Sequence, residues 1–324
     1  MEYNVLILSA GRRVELVQCF QDAVKKLNIK AKIIAADCSN TAPALYFADD
    51  KVILPRISEG NYTKSIIDCC NKFDIKLIVP TIDTELKLLS KDKTLIEKES
   101  KAKVLISNEE VINICRDKIN TDNFLRTNNF GVPKLYSKEE IENNKIKYPC
   151  FIKPISGSSS IGAYKVNDEK EFKSYSSVLD DYMLQDLMVG EEYTVDVFLD
   201  FDSKIITITP RIRLATRGGE ILKGRIVKDK EIINDVTKLM NTLKPIGHIT
   251  VQLMKTKNGI EYIEINPRFG GGAPMSIMAG ANSCINLFKL LNNEKLNYNE
   301  DYNDNVNFFR FDQCVMVKED DLYE

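Results

Sequence analysis

The sequence predicts an α/β unit built on a parallel sheet, followed by an α+β region rich in antiparallel hairpins. Apolar runs of strand length alternate with amphipathic helical stretches over residues 1–110, whereas strand-like runs joined by turn signals dominate the C-terminal part. Strands separated by helices imply parallel pairing, and strands joined by tight turns imply antiparallel pairing. At 324 residues the chain exceeds one ordinary core, so two or three packed units are expected.

The first unit reads as Rossmann-like. Its predicted strands are NVLILSA (4–10), AKIIAAD (31–37), KVILP (51–55), KLIVP (76–80) and KVLIS (103–107), and its predicted helices span Val14–Leu27, Tyr62–Phe73 and Glu85–Glu99. A helix from Asn108 to about Asn128 and another near Glu169–Tyr175 follow, and the region after residue 199 is predicted to be antiparallel.

Composition excludes several classes of function. The net charge of -2 argues against binding nucleic acid through bulk electrostatics, and no apolar run is long enough to span a bilayer. MEYNVLILSAGRR reads as an opening strand rather than a signal peptide, and eight scattered cysteines without CxxC spacing suit a reducing cytoplasm. With His248 as the one histidine, the chemistry must depend on Lys, Arg, carboxylates, amides and backbone groups.

The loop SAGRRVE after the first strand is the first candidate site. The dinucleotide-binding motif GxGxxG is missing, because the loop contains only Gly11, so a nicotinamide cofactor is disfavoured although Asp37 ends the second strand. Two readings stay open: a sheet unit without a ligand, or Arg12 or Arg13 meeting an anionic substrate at a helix N-terminus.

A small-residue loop, PISGSSSIGAYK, is the second candidate. Gly157 and Gly162 have P-loop spacing, but the Lys-Ser/Thr pair of a P-loop is absent. Such a loop can still cover phosphates with backbone N–H groups. Lys153 lies among apolar strand residues, where an ammonium group needs an anionic partner. That partner is either a ligand phosphate or a structural carboxylate.

Two further stretches carry polar groups on strands. In LQDLMVGEEYTVDVF, Glu192 precedes an alternating strand and follows a short link that suits an adenine, although a plain surface hairpin fits as well. In IEYIEINPR, Glu264 and Asn266 share one face of a strand and offer hard oxygen ligands for magnesium. The guanidinium group of Arg268 can bind a phosphate through two N–H groups.

We call the polar face formed by Glu264 and Asn266 the ridge. The register between this strand and the preceding strand decides whether Gln252 lies on the same face and belongs to the ridge. A two-residue Asn-Gly turn would place Gln252 opposite Ile265, whereas a three-residue loop with Gly259 left-handed would place it opposite Glu264. We expect the three-residue loop, Lys257-Asn258-Gly259. The alternative is a solvated polar face, which is disfavoured because Gln252 lies within an apolar run.

In this order, the stretches resemble the ATP-grasp superfamily over essentially the whole chain. RDKINTDNFL is similar to the first nucleotide-binding helix of that superfamily, and FIKPISGSSSIG is similar to the strand with its phosphate-binding lysine and to the loop that covers the phosphates. LQDLMVGEEYTVDV is similar to the link that contacts the adenine and to the acid that binds the ribose. QL…EYIEINPR is similar to the pair of strands that binds the metal. The loop has the form found in D-alanine–D-alanine ligase. The Gln, Glu, Asn and Arg set is more like the carbamoyl phosphate synthase large subunit, and NPRFGGGAP resembles short single-module proteins named after that synthase.

The resemblance implies an ATP-grasp fold with a pre-ATP-grasp domain over residues 1–110, a small lid subdomain over 111–184 and a C-terminal metal-binding subdomain over 185–324. The implied ATP-binding residues are Lys118, Lys153, Ser158, Ser159, Ser160, Gly162, Gln185, Asp186, Leu187, Met188 and Glu192. The implied metal ligands are Gln252, Glu264 and Asn266, and Arg268 would stabilise the phosphoryl group in transfer. Further catalytic candidates are Arg213, Arg217 and Lys223 in the basic stretch RIRLATRGGEILKGR, which could hold an acylphosphate, although an exposed basic hairpin fits as well. Gln185 and Gln252 replace acids common among relatives, which puts the side-chain role of Gln185 and the occupancy of a second metal in doubt.

The implied activity is that of an ATP-dependent carboxylate–amine or carboxylate–thiol ligase, which forms an acylphosphate and releases ADP and phosphate. ATP and Mg²⁺, or Mn²⁺ in its place, would be the cofactors, and the partners would be small-molecule carboxylates and amines, with a homodimer also compatible. Two alternatives stay open. One is a carbamoyl phosphate synthase-like kinase that makes carboxyphosphate or carbamoyl phosphate, and the other is a non-catalytic ATP-binding regulator.

Overall fold

In the computed structural model, which describes residues 2–155 and 161–322, the N-terminal region forms a parallel sheet with helices between its strands. The strands are β1 (Asn4–Ile7), β2 (Ile33–Asp37), β3 (Asp50–Ile53), β4 (Ile75–Val79) and β5 (Lys103–Val104), and the helices are α1 (Val14–Leu27), α2 (Tyr62–Lys72) and α3 (Leu86–Ser100). The strand order is β3-β2-β1-β4-β5. The order reverses beside β1, and ligands of open α/β sheets bind at the carboxyl ends of the strands at such a point.

The local pattern explains most of these elements. Helix α1 has the predicted range, because its apolar residues recur on one buried face and Asn28 ends it in the left-handed conformation at φ 50°. The first and the last predicted strands of this sheet are each three residues too long. Strand β1 ends at Ile7, since Ser9 has φ 47°, and β5 consists only of Lys103–Val104.

The single helix predicted over 108–128 is wrong, because the structure has two helices there, α4 (Glu109–Cys115) and α5 (Lys118–Thr127). Asp117 lies between them in an extended conformation, and its carboxylate accepts hydrogen bonds from two backbone N–H groups of α5. An aspartate at this position therefore acts as the N-cap of a new helix. The break places Lys118 at the first position of α5.

A small antiparallel sheet follows, with β6 (Cys150–Pro154) between β7 (Tyr164–Val166) and β8 (Tyr182–Asp186). Helix α6 (Lys138–Glu142) and helix α7 (Glu169–Ser176) accompany this sheet, and α7 confirms the helix predicted near residues 169–175. The sheet has its own core, in which Ile152, Phe172 and Leu184 are buried.

The C-terminal region forms the antiparallel sheet that the sequence predicts, in the order β13-β12-β9-β10-β11-β14. Its strands are β9 (Gly190–Leu199), β10 (Ile205–Arg217), β11 (Glu220–Ile226), β12 (Gly247–Thr256), β13 (Gly259–Asn266) and β14 (Val306–Phe309), and its helices are α8 (Lys230–Leu243), α9 (Ala273–Ala279) and α10 (Ser283–Leu291). The three helices of this region were not predicted from the sequence pattern. The fold class, a parallel unit followed by a hairpin-rich α+β region, is confirmed.

A buried aromatic cluster joins the parallel unit to the large sheet. The ring of Phe20 on α1 contacts Phe269 and Phe288 edge-on, with ring centroids 6.0 and 6.1 Å apart. All three rings are buried in one core. The segment after β13 is thereby fixed against α1, and Arg268 is brought next to the loops of the parallel sheet. None of the described helices is long and apolar enough to cross a membrane.

Candidate active site

A cavity of about 610 Å³ lies where the three sheets meet, and residues from each sheet line it. The predicted site residues that line it are Lys118, Lys153, Gln185, Leu187, Met188, Glu192, Arg213, Gln252, Glu264 and Arg268. These residues come from five separate stretches of the chain. The fold therefore brings together most of the side chains that the sequence singles out.

The polar ridge on β12 and β13 presents Gln252 and Glu264 to this cavity, whereas the buried Asn266 is not among the described lining residues. Glu264 lies opposite Gln252, as expected, but the reason is different: Lys257 and Asn258 form a two-residue turn, and an irregularity between Gln252 and Leu253 shifts the register. A β-bulge adds one residue to one strand and so changes which side chains share a face.

The donor set of the ridge suits magnesium held jointly with a ligand. The Nδ2 group of Asn266 donates a hydrogen bond of 2.8 Å to Oε1 of Glu264, and Gln252 adds a second amide on the same face. Within the described residues there is no cluster of three or more His, Cys, Asp or Glu that could hold a metal. One carboxylate and two amides leave several positions for phosphate oxygens and water, which is how magnesium is commonly bound.

Two lysines from other elements, Lys118 and Lys153, line the same cavity. The Nζ group of Lys118 donates to the backbone oxygen of Pro154 at 3.0 Å. Lys153 is only 8% exposed. Burial, and then the positive charge of Lys118, lower the pKa of Lys153 to about 8, although the charge of Glu264 opposes the change. No carboxylate among the described residues lies within 4.0 Å of the Lys153 ammonium, so the structural salt bridge considered from the sequence is absent there.

The loop between β6 and β7 is only partly described. Ser158, Ser159 and Ser160 lie outside the described residues. Gly162 has φ 76°, a conformation that favours glycine. It is not among the described residues that line the cavity.

The segment from β8 to β9 forms one end of the cavity. Gln185, Leu187, Met188 and Glu192 line it, and Gln185 is buried. Asp186 does not line it, because its carboxylate accepts a hydrogen bond of 2.6 Å from the hydroxyl of Tyr136. Alternation along the strand explains this difference.

Arg268 is held by an acid from a loop of the parallel sheet. Its Nη2 and Nε atoms lie 2.7 and 3.1 Å from the two carboxylate oxygens of Asp83, which follows β4. Arg116 adds a contact of 3.6 Å to the same carboxylate. This bidentate pair orients the Arg268 guanidinium and ties the ridge to the parallel sheet.

The other predicted arginines and Lys223 divide between the cavity and the surface. Arg213 lines the cavity, and its Nε atom lies 3.0 Å from Oε1 of Glu192. Arg217 is exposed and pairs with Asp312 at 2.7 Å, and Lys223 is exposed as well. Neither is among the described lining residues. Register irregularities on β10 after Arg213 break the strand alternation that would otherwise place Arg217 on the same face as Arg213.

Arg211 is a lining residue that the sequence analysis missed. It is 1% exposed, and its Nη2 atom lies 3.0 Å from Oδ2 of Asp196. Ser276 donates a hydrogen bond of 2.6 Å to the same oxygen, and His248 lies 3.4 Å from the other. Burial alone would raise the pKa of Asp196, but Arg211 and then His248 and Ser276 hold it well below its usual range. Arg211 lies two residues before Arg213 on the same strand, and this spacing is the signal that could have identified it.

The paired arginines after β1 have different environments. Arg12 is exposed and lies 3.6 Å from Asp312, whereas the Arg13 guanidinium lines the cavity beside Thr81. The loops after β1 and β4 thus meet at the crevice predicted by the strand order.

Two family models match the chain. Residues 5–105 match a model described as PylC-like, N-terminal domain, and residues 178–313 match one described as ATP-grasp in the biosynthetic pathway with Ter operon.

The chain is also similar to characterised enzymes. It is 24% identical over 213 residues to a formate-dependent phosphoribosylglycinamide formyltransferase of Prochlorococcus marinus (64% of this chain, 51% of that protein). It is 27% identical over 175 residues to D-alanine–D-alanine ligase B of Clostridium perfringens (47% of this chain, 57% of that protein). The chain therefore spans about half the length of the curated relatives it matches.

Among solved structures, the biotin carboxylase domain of the 2-oxoglutarate carboxylase from Hydrogenobacter thermophilus superposes with a TM-score of 0.72 at 16% identity, covering 94% of this chain and 73% of the other. That structure is a complex with MgADP, ADP and bicarbonate. At this identity the likeness concerns the fold.

Proposed function

Because the chain belongs to the ATP-grasp superfamily, we propose that it is an ATP-dependent ligase that joins a carboxylate to an amine or a thiol and releases ADP and phosphate. One observation carries the proposal. Two lysines, Lys118 and Lys153, line a single cavity together with Glu264 and Arg268, and the charge of Glu264 acts on both lysines. This set can neutralise a triphosphate and a phosphoryl group in transfer without a histidine.

In this proposal the nucleotide lies along the cavity. Leu187 and Met188 contact the adenine, and Glu192 accepts hydrogen bonds from the ribose once its pairing with Arg213 is rearranged. Lys118 and Lys153 bind the phosphates. An anionic phosphate beside the buried Lys153 supplies the counter-charge that the described residues do not provide.

Glu264, Asn266 and Gln252 would hold magnesium together with phosphate oxygens, and the ion would supply charge neutralisation at the transferring phosphoryl group. Manganese has the same preference for oxygen ligands. Arg268, fixed by Asp83, presents its guanidinium to that phosphoryl group. The protein's contribution is positioning and electrostatic stabilisation.

The chemistry proceeds in two balanced steps. A substrate carboxylate oxygen attacks the γ-phosphorus, the bond to the ADP oxygen breaks, and an acylphosphate and ADP form. An amine or thiol then attacks the acyl carbon, loses its proton and displaces phosphate. Of the cations predicted to hold the acylphosphate, only Arg213 lines the described cavity, so it keeps that role, and Arg217 and Lys223 lose their support.

The proposed division of the chain remains a pre-ATP-grasp domain over 1–110, a lid subdomain over 111–184 and a C-terminal subdomain over 185–324. Its partners are small molecules.

The test is the formation of ADP and AMP from Mg·ATP across a matrix of pooled carboxylic acids and amines or thiols. We expect ADP only where one acid and one nucleophile are present together, and we expect Glu264→Gln to abolish it. Glu261→Gln is the matched control, since Glu261 lies on the same strand and is not among the described lining residues. Formation of AMP would contradict the acylphosphate route, and ATP binding without any turnover would favour a nucleotide-binding regulator.

A further inference from the structure

Arg13 occupies the crevice of the parallel sheet where its strand order reverses. It follows β1, and the backbone oxygen of Thr81 after β4 is its hydrogen-bond partner, at the long distance of 3.4 Å from Nη2. The guanidinium lies against Gly271, where a methyl group would be only 2.7 Å from Nη1. The absence of a side chain at Gly271 therefore allows the guanidinium to reach the cavity in this position.

Arg13 has no ion-pair partner among the described residues, although the charges of Glu220 and Asp83 act on its pKa. The neighbouring arginines each have a carboxylate partner within 4.0 Å, in the pairs Arg268–Asp83, Arg116–Asp83, Arg310–Glu15, Arg211–Asp196 and Arg213–Glu192. Over residues 2–155 and 161–322, no carboxylate oxygen lies that close to Arg13. Burial and then the charge of Arg268 lower its pKa to about 10, so the site favours an additional anion.

Arg13 enters the cavity from the loop after β1, whereas the lysines of the proposed phosphate site come from α5 and β6. The charge of Glu264 acts on Lys118 and Lys153, whose pKa values it raises against the effect of burial. The groups that act most strongly on the pKa of Arg13 are Arg268 and Glu220. Asp83, which pairs with Arg268, acts on the pKa of both Arg13 and Lys118.

We propose that the carboxylate substrate carries a second anionic group, a carboxylate or a phosphate, which binds to Arg13 beside Gly271. The inference rests on the proposed ligase function, because it places the reacting carboxylate near Arg268 and the second anion in the crevice of the parallel sheet. A guanidinium fork is suited to either oxyanion. The substrate class is then a dicarboxylate or a phosphorylated carboxylic acid.

The experiment measures binding rather than turnover, so it does not depend on finding the nucleophile. Butyrate, glutarate and 4-phosphonobutyrate are titrated calorimetrically into the full chain saturated with Mg·ADP, in the wild type, Arg13→Gln and Arg12→Gln. Arg12 is the matched control, because its side chain is 74% exposed and pairs with Asp312 on the surface. Gly271→Ala is a second variant, which displaces the Arg13 guanidinium without removing its charge.

We expect glutarate or 4-phosphonobutyrate to bind the wild type and Arg12→Gln more tightly than butyrate does. Arg13→Gln should weaken that binding roughly 10- to 100-fold, as expected for one charge-assisted contact, and Gly271→Ala should weaken it as well. Which of the two dianions binds more tightly identifies the second group as carboxylate or phosphate.

The inference is overturned if the dianions bind the wild type no more tightly than butyrate does, or if Arg13→Gln leaves their affinity unchanged. It is also overturned if Arg13→Gln weakens the binding of butyrate as much as that of the dianions, because the reacting carboxylate would then lie at Arg13. Mg·ATP affinity is measured on the same variants. A loss in Arg13→Gln alone would make Arg13 a nucleotide ligand and also overturn the inference. A wild type that binds no Mg·ATP would instead refute the proposed function, and titration without nucleotide would still test Arg13.

Discussion

Replacing Lys153 with methionine should make the ligand-free protein more stable and its nucleotide binding weaker. Lys153 is 8% exposed on β6, and none of the described carboxylates is within 4.0 Å of its ammonium. Burial, and then the charge of Lys118, lower its pKa from 10.5 to about 8. Methionine keeps most of the apolar stem and removes the charge, so it isolates the electrostatic cost of burial.

The magnitude follows from the two pKa values. One pKa unit corresponds to about 1.4 kcal/mol, so lowering the Lys153 pKa from 10.5 to about 8 costs the folded state roughly 3 kcal/mol at neutral pH. Between about pH 8 and pH 10.5, the two pKa values of Lys153, the unfolded chain binds more protons than the folded chain. The free energy of unfolding of the wild type therefore rises with pH in this window. The advantage of Lys153→Met should therefore be largest below pH 8 and should shrink toward pH 10.5. In the nucleotide complex, loss of the charged contact to phosphate should weaken Mg·ATP binding roughly 10- to 100-fold.

Denaturant unfolding at pH 7 and pH 10, with calorimetry of Mg·ATP binding at pH 7, measures both effects. Lys165→Met on β7 is the matched control, because Lys165 is exposed and its replacement should change the free energy of unfolding by less than about 0.5 kcal/mol. The reasoning is refuted if Lys153→Met is less stable than the wild type at pH 7, or if its Mg·ATP affinity is unchanged.

Three further substitutions test the contacts of the site. Asp83→Asn removes the bidentate partner of Arg268. We therefore expect kcat to fall about tenfold or more while KM for ATP changes little. A rise in KM as large as the fall in kcat would show that Asp83 serves ATP binding rather than the orientation of Arg268. Asp196→Ala leaves Arg211 buried without a partner and should lower the free energy of unfolding by about 3–5 kcal/mol in denaturant titrations, and a loss under 1 kcal/mol would contradict the pair's structural role. Glu264→Gln should reduce Mg²⁺-dependent ADP formation by at least about 100-fold, with the apparent Mg²⁺ affinity as a second measure, and unchanged Mg²⁺ dependence would remove Glu264 from the metal site.

Local sequence patterns predict the elements of this fold better than their ends. The two ends of α1 follow from the apolar spacing of one helix face, and both were predictable. Asp117 is compatible with a helix interior and with an N-cap, and only the packing of α5 selects the cap. The facing pair Gln252 and Glu264 was predicted through a longer turn, whereas the structure reaches it through a bulge that no turn residue announces.

The site could be predicted only where its residues are close in the sequence. Glu264 and Asn266 share a strand face by simple alternation. The contact between Arg268 and Asp83 joins positions separated by 185 residues, and it depends on how the parallel sheet packs on the large sheet. Arg217 was assigned by its basic neighbourhood, but the bulges of β10 turn it toward Asp312. Tertiary packing decides such contacts.

The most direct test of the central claim is the fate of carboxylate oxygen during turnover. Carboxylic acid pools labelled with ¹⁸O are incubated with Mg·ATP, the nucleophile pool and the enzyme, and the released phosphate is examined by ³¹P NMR. Transfer of the γ-phosphoryl group to the carboxylate predicts ADP together with phosphate that carries one ¹⁸O atom. Unlabelled phosphate, or AMP with pyrophosphate, would contradict an acylphosphate formed in this cavity.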